Sequence, residues 1–164
     1  MEIRPEREQD FEAIAAVTRA AFGGDREVRM IEEIRATGEF VPELSLVAEA
    51  EGEIVGHALL SYVGLADTHV LELAPICVVP RLQGQKIGSL LVREGLRRAE
   101  LRDEPLVLVL GHPDYYPRFG FVRASTLGIE PPGDGIPDEA WMAIPLPAYD
   151  PALRGRVDWP AGFA

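Results

Sequence analysis

The chain has 164 residues, 47% of them hydrophobic and 26% charged, and carries a formal net charge of −11. That length suits one domain with a real core, no apolar run nears the ~20 residues of a membrane-spanning helix, and the acidity argues against nucleic acid as a partner. The segment Met1-Glu2-Ile3-Arg4-Pro5-Glu6 lacks the basic-then-apolar layout of an export signal, and Cys77 is the single cysteine, so a reducing cytoplasm with no disulfide framework is expected.

In chain order, Glu2 to Arg4 reads as a short strand. From Glu8 to Phe22, apolar Phe11, Ile14, Val17, Ala21 and Phe22 recur at helical spacing, and Gly23-Gly24 ends that amphipathic helix. Asp25 is placed to cap a second helix, in which Val28, Ile31 and Ile34 keep the period until Gly38. The pattern then changes to Val-, Ile- and Leu-rich runs at Leu44 to Ala50, Glu53 to Val63 and Val70 to Val79, the first two joined at Glu51-Gly52 as a hairpin. Ile87 to Leu101 has Ile87, Leu91, Gly95 and Ala99 on one face and arginines and glutamates opposite, which predicts a helix. Leu106 to Leu110 is wholly apolar, as a strand covered on both faces should be. A helical turn follows His112-Pro113, then closing strands from Phe121 and at Ala140 to Ile144. The proline-rich tail from Pro145 to Ala164 is expected to wrap irregularly around a single domain covering residues 1–164. The order β-α-α-β-β-β-α-β-α-β-β predicts an α/β fold with a mixed sheet, its β-α-β crossover presenting a ligand site at the turn.

That turn is Ile76-Cys77-Val78-Val79-Pro80-Arg81-Leu82-Gln83-Gly84-Gln85-Lys86-Ile87-Gly88-Ser89, running from strand through loop into helix. A helix N-terminus offers unpaired N–H groups and the positive end of the macrodipole, which together favour an anion. Gly84 and Gly88 let a phosphate approach the backbone, while Ser89 adds a hydroxyl and Lys86 a charge. Pro75, lacking an N–H, belongs at a bulge or break in the strand. Cys77, among Val and Ile with no activating neighbour, reads as a small hydrophobe. His57, His69 and His112 lack metal-ligand spacing, so no metal is expected.

The turn resembles the signature of the GNAT acetyltransferases: Gln or Arg, two residues, Gly, one residue, then Gly or Ala. Gln83 and Gly88 match it, and Lys86 replaces the central glycine, a departure expected to be tolerated in a first helical turn. Pro113-Asp114-Tyr115-Tyr116-Pro117-Arg118-Phe119-Gly120-Phe121 resembles the family's late motif, which puts its acid tyrosine at Tyr116.

The resemblance implies a mostly antiparallel sheet, flanked by helices and splayed at its fourth strand. It implies acetyl-CoA as co-substrate, with its pantetheine arm along the main chain of Ile76, Cys77 and Val78. The pyrophosphate would lie on Gln83, Gly84, Gln85, Lys86, Ile87, Gly88 and Ser89. Glu72, eleven positions before Gln83, falls where several members carry a carboxylate base, and a half-buried glutamate in an apolar strand would have its pKa raised. The implied activity is N-acetyl transfer to a primary amine of a small molecule or peptide by direct attack. The alternative on the same fold is a non-catalytic acyl-CoA sensor or interaction module. A homodimer is compatible with the sequence.

Overall fold

A computed structural model describes residues 1–163; Ala164, the last residue of the expected domain, lies outside them. Nine strands run β1 (Glu2–Pro5), β2 (Phe40–Ala50), β3 (Glu53–Leu65), β4 (Thr68–Val78), β5 (Leu106–Leu110), β6 (Val122–Arg123), β7 (Ile129–Glu130), β8 (Trp141–Pro145) and β9 (Gly155–Asp158) among the described residues. The helices are α1 (Phe11–Phe22), α2 (Arg26–Arg35) and α3 (Ile87–Leu101). The main sheet has the order β1-β2-β3-β4-β5-β8-β6. Its neighbours are antiparallel except β4 and β5, which are parallel across the α3 crossover.

Strand alternation divides the core into two layers. Along β3, Ala58 and Leu60 join Leu71, Leu73 and the α3 residues Leu91 and Val92 on one face. Leu59 and Val63 join Val70, Leu108 and the α1 and α2 residues Ile14, Ile31 and Ile34 on the other. Each fully buried aliphatic side chain contributes about 1.5–3 kcal/mol, so the period-2 pattern of the strands and the 3.6-residue stripes of the helices specify the layers together.

Several local readings are corrected. The first turn of the expected helix at Glu8 is a 3-10 turn, Glu8–Asp10, because the Asp10 carboxylate accepts the Arg7 N–H at 2.7 Å and is gripped by Arg4 at 2.8 Å. Asp25 makes no side-chain cap; its carboxylate instead takes the Arg19 guanidinium at 2.6 Å. The tail is not wholly irregular: β9 pairs with β3 at Gly64↔Asp158 and Leu65↔Val157, and with β7 at Ile129↔Gly155. The paired register of β2 along β3 reaches only to Ser61, so the end of β3 keeps an open edge, which the returning chain covers.

The feature that positions the site lies between β4 and β5. They share only two register pairs, Leu71↔Val107 and Glu72↔Leu108, while β4 runs on to Val78. On its other edge β4 bulges: Leu73 faces Leu60 and Ile76 faces Ala58, so Leu59 opposes both Ala74 and Pro75. The bulge falls at the proline, as expected of a residue with no ladder donor. Beyond Glu72 the two strands part, and a fork opens in the sheet.

Candidate functional site

At the mouth of the fork, the chain leaves β4 through a 3-10 turn, Pro80–Leu82, and enters α3. Leu90 is the first residue of α3 whose N–H reaches back to the turn, bonding the Lys86 carbonyl at 3.1 Å. The peptide N–H groups before it have no helical partner, as at any helix start. Gly84 (φ 81°) and Lys86 (φ 70°) are both left-handed. Lys86 therefore adopts the glycine-type conformation of the position it occupies instead of an ordinary first-turn geometry. A left-handed non-glycine residue costs roughly 1–2 kcal/mol. Val78, Leu82, Gln83, Gly84, Lys86, Ile87, Gly88 and Ser89 line a cavity here, together with Tyr115 and Arg118. Seven of the ten expected contact residues share this wall: Gln85 faces a neighbouring groove, and Ile76 and Cys77 lie further back along β4.

The main chain of β4 is oriented toward the fork by simple alternation. The Val79 N–H bonds the Val55 carbonyl at 2.9 Å, toward β3, so the N–H groups of Val78 and Ile76 point to the opposite edge, where β5 has departed. The Val78 carbonyl on that edge accepts the Gln83 side-chain amide at 3.1 Å, which ties the loop to the strand. The Cys77 side chain points to α1, its sulfur 3.7 Å from the Thr18 hydroxyl, and burial pushes its thiol up. On the α1–α2 face, Leu110 at the end of β5 is 42% exposed beside the fork, unlike the other residues of that strand.

Glu72 sits at the crotch of the fork, the last β4 residue paired with β5. It is not half-buried but only 1% exposed. Its Oε1 accepts the Trp159 indole N–H at 3.0 Å. Burial pushes its carboxyl up to about 8, against the opposing pull of the indole bond. Ser61, its cross-strand neighbour on β3, is buried with an unpartnered hydroxyl.

The two tyrosines of the late motif separate. Tyr115 turns to the cavity, its hydroxyl 3.0 Å from that of Ser89 and its ring beneath the Arg118 guanidinium at 4.4 Å. Tyr116 turns inward, is 6% exposed, and packs edge-on against Phe121. Burial pushes its phenol up to about 12. The ring lies so close to Gly111 that a Cβ there would fall 2.3 Å from a ring carbon.

Two contributors carried no decisive sequence signal. Arg118 stood inside the quoted motif, but only the fold shows it beside the α3 turn. Trp159 lies 87 positions after Glu72, within the proline-rich tail. Of the histidines, His57 is fully buried, its Nε2 2.9 Å from the Ser45 hydroxyl, and burial lowers its pKa to about 3. Among the described residues, no cluster of His, Cys, Asp or Glu has metal-binding geometry.

Comparison with known proteins gives a consistent result. The sequence model of the Acetyltransferase (GNAT) family matches residues 11–121. The chain is 34% identical over 155 residues to the uncharacterised N-acetyltransferase YjhQ of Escherichia coli (strain K12), covering 90% of this chain and 86% of that protein. The crystal structure of the Escherichia coli GNAT family N-acetyltransferase YhbS in complex with CoA superposes with a TM-score of 0.88 at 28% identity, over 99% of this chain and 91% of that one. A GNAT family acetyltransferase from Brucella melitensis in complex with acetyl-CoA superposes with a TM-score of 0.82 at 30% identity, over 99% and 97%.

Proposed function

The chain belongs to the GNAT acetyltransferase family, and from that premise we propose that it moves an acetyl group from acetyl-CoA to a primary amine of a small molecule or peptide by direct attack. The observation that carries this reading is the pairing of an open strand fork with a helix turn of unpartnered N–H groups at its mouth. That pair matches a long, thin ligand with a diphosphate at one end. Similar structures holding CoA and acetyl-CoA support the choice of ligand.

Acetyl-CoA supplies a thioester already activated toward amines. The peptide groups from Gly84 through Gln85, Lys86, Ile87 and Gly88 to Ser89 bind its pyrophosphate, with Lys86 and Arg118 adding charge. Gln83 fixes the loop, and the main chain of Ile76, Cys77 and Val78 lines the fork for the pantetheine arm. The Ile76 N–H donates to the thioester oxygen, a contribution worth roughly 3 kcal/mol of barrier. Glu72 takes the proton an ammonium must lose before it can attack. A carboxyl raised to about 8 matches that task near neutral pH. As the C–N bond forms and the C–S bond breaks, Tyr116 gives a proton to the departing sulfur, and the surplus proton of the new amide nitrogen leaves to solvent, which reprotonates the phenolate. Its burial keeps the phenol protonated, and the same dry surroundings raise the basicity of a thiolate. The negative surface suits a cationic acceptor.

Thermal unfolding with acetyl-CoA tests the ligand, because saturation at 100 times the dissociation constant adds about 2.7 kcal/mol. An unchanged melting curve at millimolar acetyl-CoA overturns the assignment. Release of free thiol in the presence of primary amines then separates an enzyme from a silent acyl-CoA sensor.

A further inference from the structure

The carboxylate at the crotch of the fork is held by a residue from the far end of the chain. We infer that Trp159 is a positioning residue for Glu72: its indole N–H fixes Oε1, orients the carboxyl and leaves Oε2 for the incoming amine. This rests on the reading of Glu72 as the base.

Among the described residues, the Trp159 bond at 3.0 Å is the one hydrogen bond that the Glu72 carboxyl makes. Ser61 faces Glu72 from β3 with its hydroxyl unpartnered, and Leu108 lies opposite on β5. Neither holds the carboxyl. Burial raises the carboxyl's proton affinity, and the indole bond is the opposing influence. The indole is in turn held in place. The strand preceding it, β9, is anchored on the end of β3 at Gly64↔Asp158. Its ring packs against that of Phe163, with centroids 5.8 Å apart. The β9 return therefore delivers a donor to the carboxyl at the crotch. An N–H aimed at a carboxylate favours its charged form, so Trp159 sets both where the base points and the pH at which it works.

The experiment uses the full chain, 15N-labelled. Two tryptophans, Trp141 and Trp159, give two indole N–H resonances, assigned with Trp159→Phe. Between about pH 5 and about pH 10 the Trp159 resonance should move through one step with the midpoint of Glu72, about 8. The Trp141 resonance should stay, and Glu72→Gln should abolish the step. In Trp159→Phe, which keeps an aromatic ring, the 13C-labelled Glu72 carboxyl should titrate about one unit higher, the scale of one hydrogen bond to a charge. The acid limb of kcat for thiol release, with spermidine, L-lysine and tyramine as probe amines, should move up equally, with acetyl-CoA KM unchanged. A flat Trp159 resonance, or a Trp159→Phe carboxyl titrating as in the wild type, overturns the proposal without any acceptor being needed. Lower activity with an unmoved acid limb and a lower melting temperature also overturns it, since that is a packing role. If Glu72→Gln acetylates as fast as the wild type, the base assignment falls. If Glu72→Gln is inactive but Trp159→Phe changes neither titration nor limb, the positioning role alone falls.

Discussion

Lys86 combines a charge that favours an anion with a backbone that disfavours its own side chain. The two effects separate by mutation. Replacement by glycine removes both charge and strain, whereas replacement by alanine removes only the charge, because an alanine at φ 70° is strained as well. Lys86→Gly is therefore expected to raise stability by about 1 kcal/mol in thermal unfolding, with Lys86→Ala near neutral. Both should weaken CoA binding more at low salt than at high salt, because the lost term is electrostatic. A salt-independent loss, read by calorimetry, would assign Lys86 a packing role instead.

At Tyr116 the hydroxyl alone separates catalysis from packing. Tyr116→Phe keeps the ring that meets Phe121 and removes the proton donor. Turnover is expected to fall about 100-fold, the lower end of what one acid contributes, with the CoA dissociation constant nearly unchanged. Weaker binding with normal turnover would leave Tyr116 as a wall of the core, and Tyr115, with its hydroxyl beside Ser89, would become the acid to test.

Elements matter here mainly where they end. β5 stops at Leu110, and Gly111 lets the chain turn while the Tyr116 ring fills the space a side chain would need. Gly111→Ala would place a methyl 2.3 Å from a ring carbon, and that clash yields only if the ring moves. The variant should lose about 1–3 kcal/mol of stability, the usual scale of overpacking. It should also lower turnover, because the same displacement carries the phenol off its position. Normal turnover in a destabilised Gly111→Ala would uncouple this turn from chemistry.

Across the whole molecule, buried titratable groups give stability opposing slopes with pH. His57 has its pKa lowered to about 3 by burial, against about 6.5 in an unfolded chain. Its contribution is complete above that unfolded value and is lost as pH falls toward 3. The Asp10 carboxyl is held below its ordinary value, chiefly by the Arg4 hydrogen bond, and its contribution likewise disappears in acid. Glu72 acts in the other direction. With its carboxyl raised to about 8, the folded state holds a proton that the unfolded chain has released, so stability falls as pH rises from about 4.5 to about 8. Glu72→Gln, which keeps an acceptor for the Trp159 N–H, should remove that fall. The variant is expected to match the wild type near pH 4.5 in chemical denaturation and to exceed it increasingly toward pH 8. Parallel curves would mean that Glu72 ionises at its ordinary value in the fold.

Periodicity along the sequence determined much of this molecule. The limits of α3 and β5 coincide with their apolar patterns, and Glu51-Gly52 turns the β2–β3 hairpin as a pair of positive-φ residues. Local chemistry also marked the turn into α3 and the break at Pro75, because a helix start and a missing N–H act within a few residues of themselves. Only the tertiary structure decided how deep Glu72 lies, which tyrosine faces the cavity, and that Trp159 returns to the Glu72 carboxyl. Those properties depend on contacts between strands remote in sequence, and on a β3 edge that exists only once the sheet has formed. No pattern inside the Pro145–Phe163 segment encodes the position of its partner, so the end that read as irregular became β9 and the holder of the carboxylate.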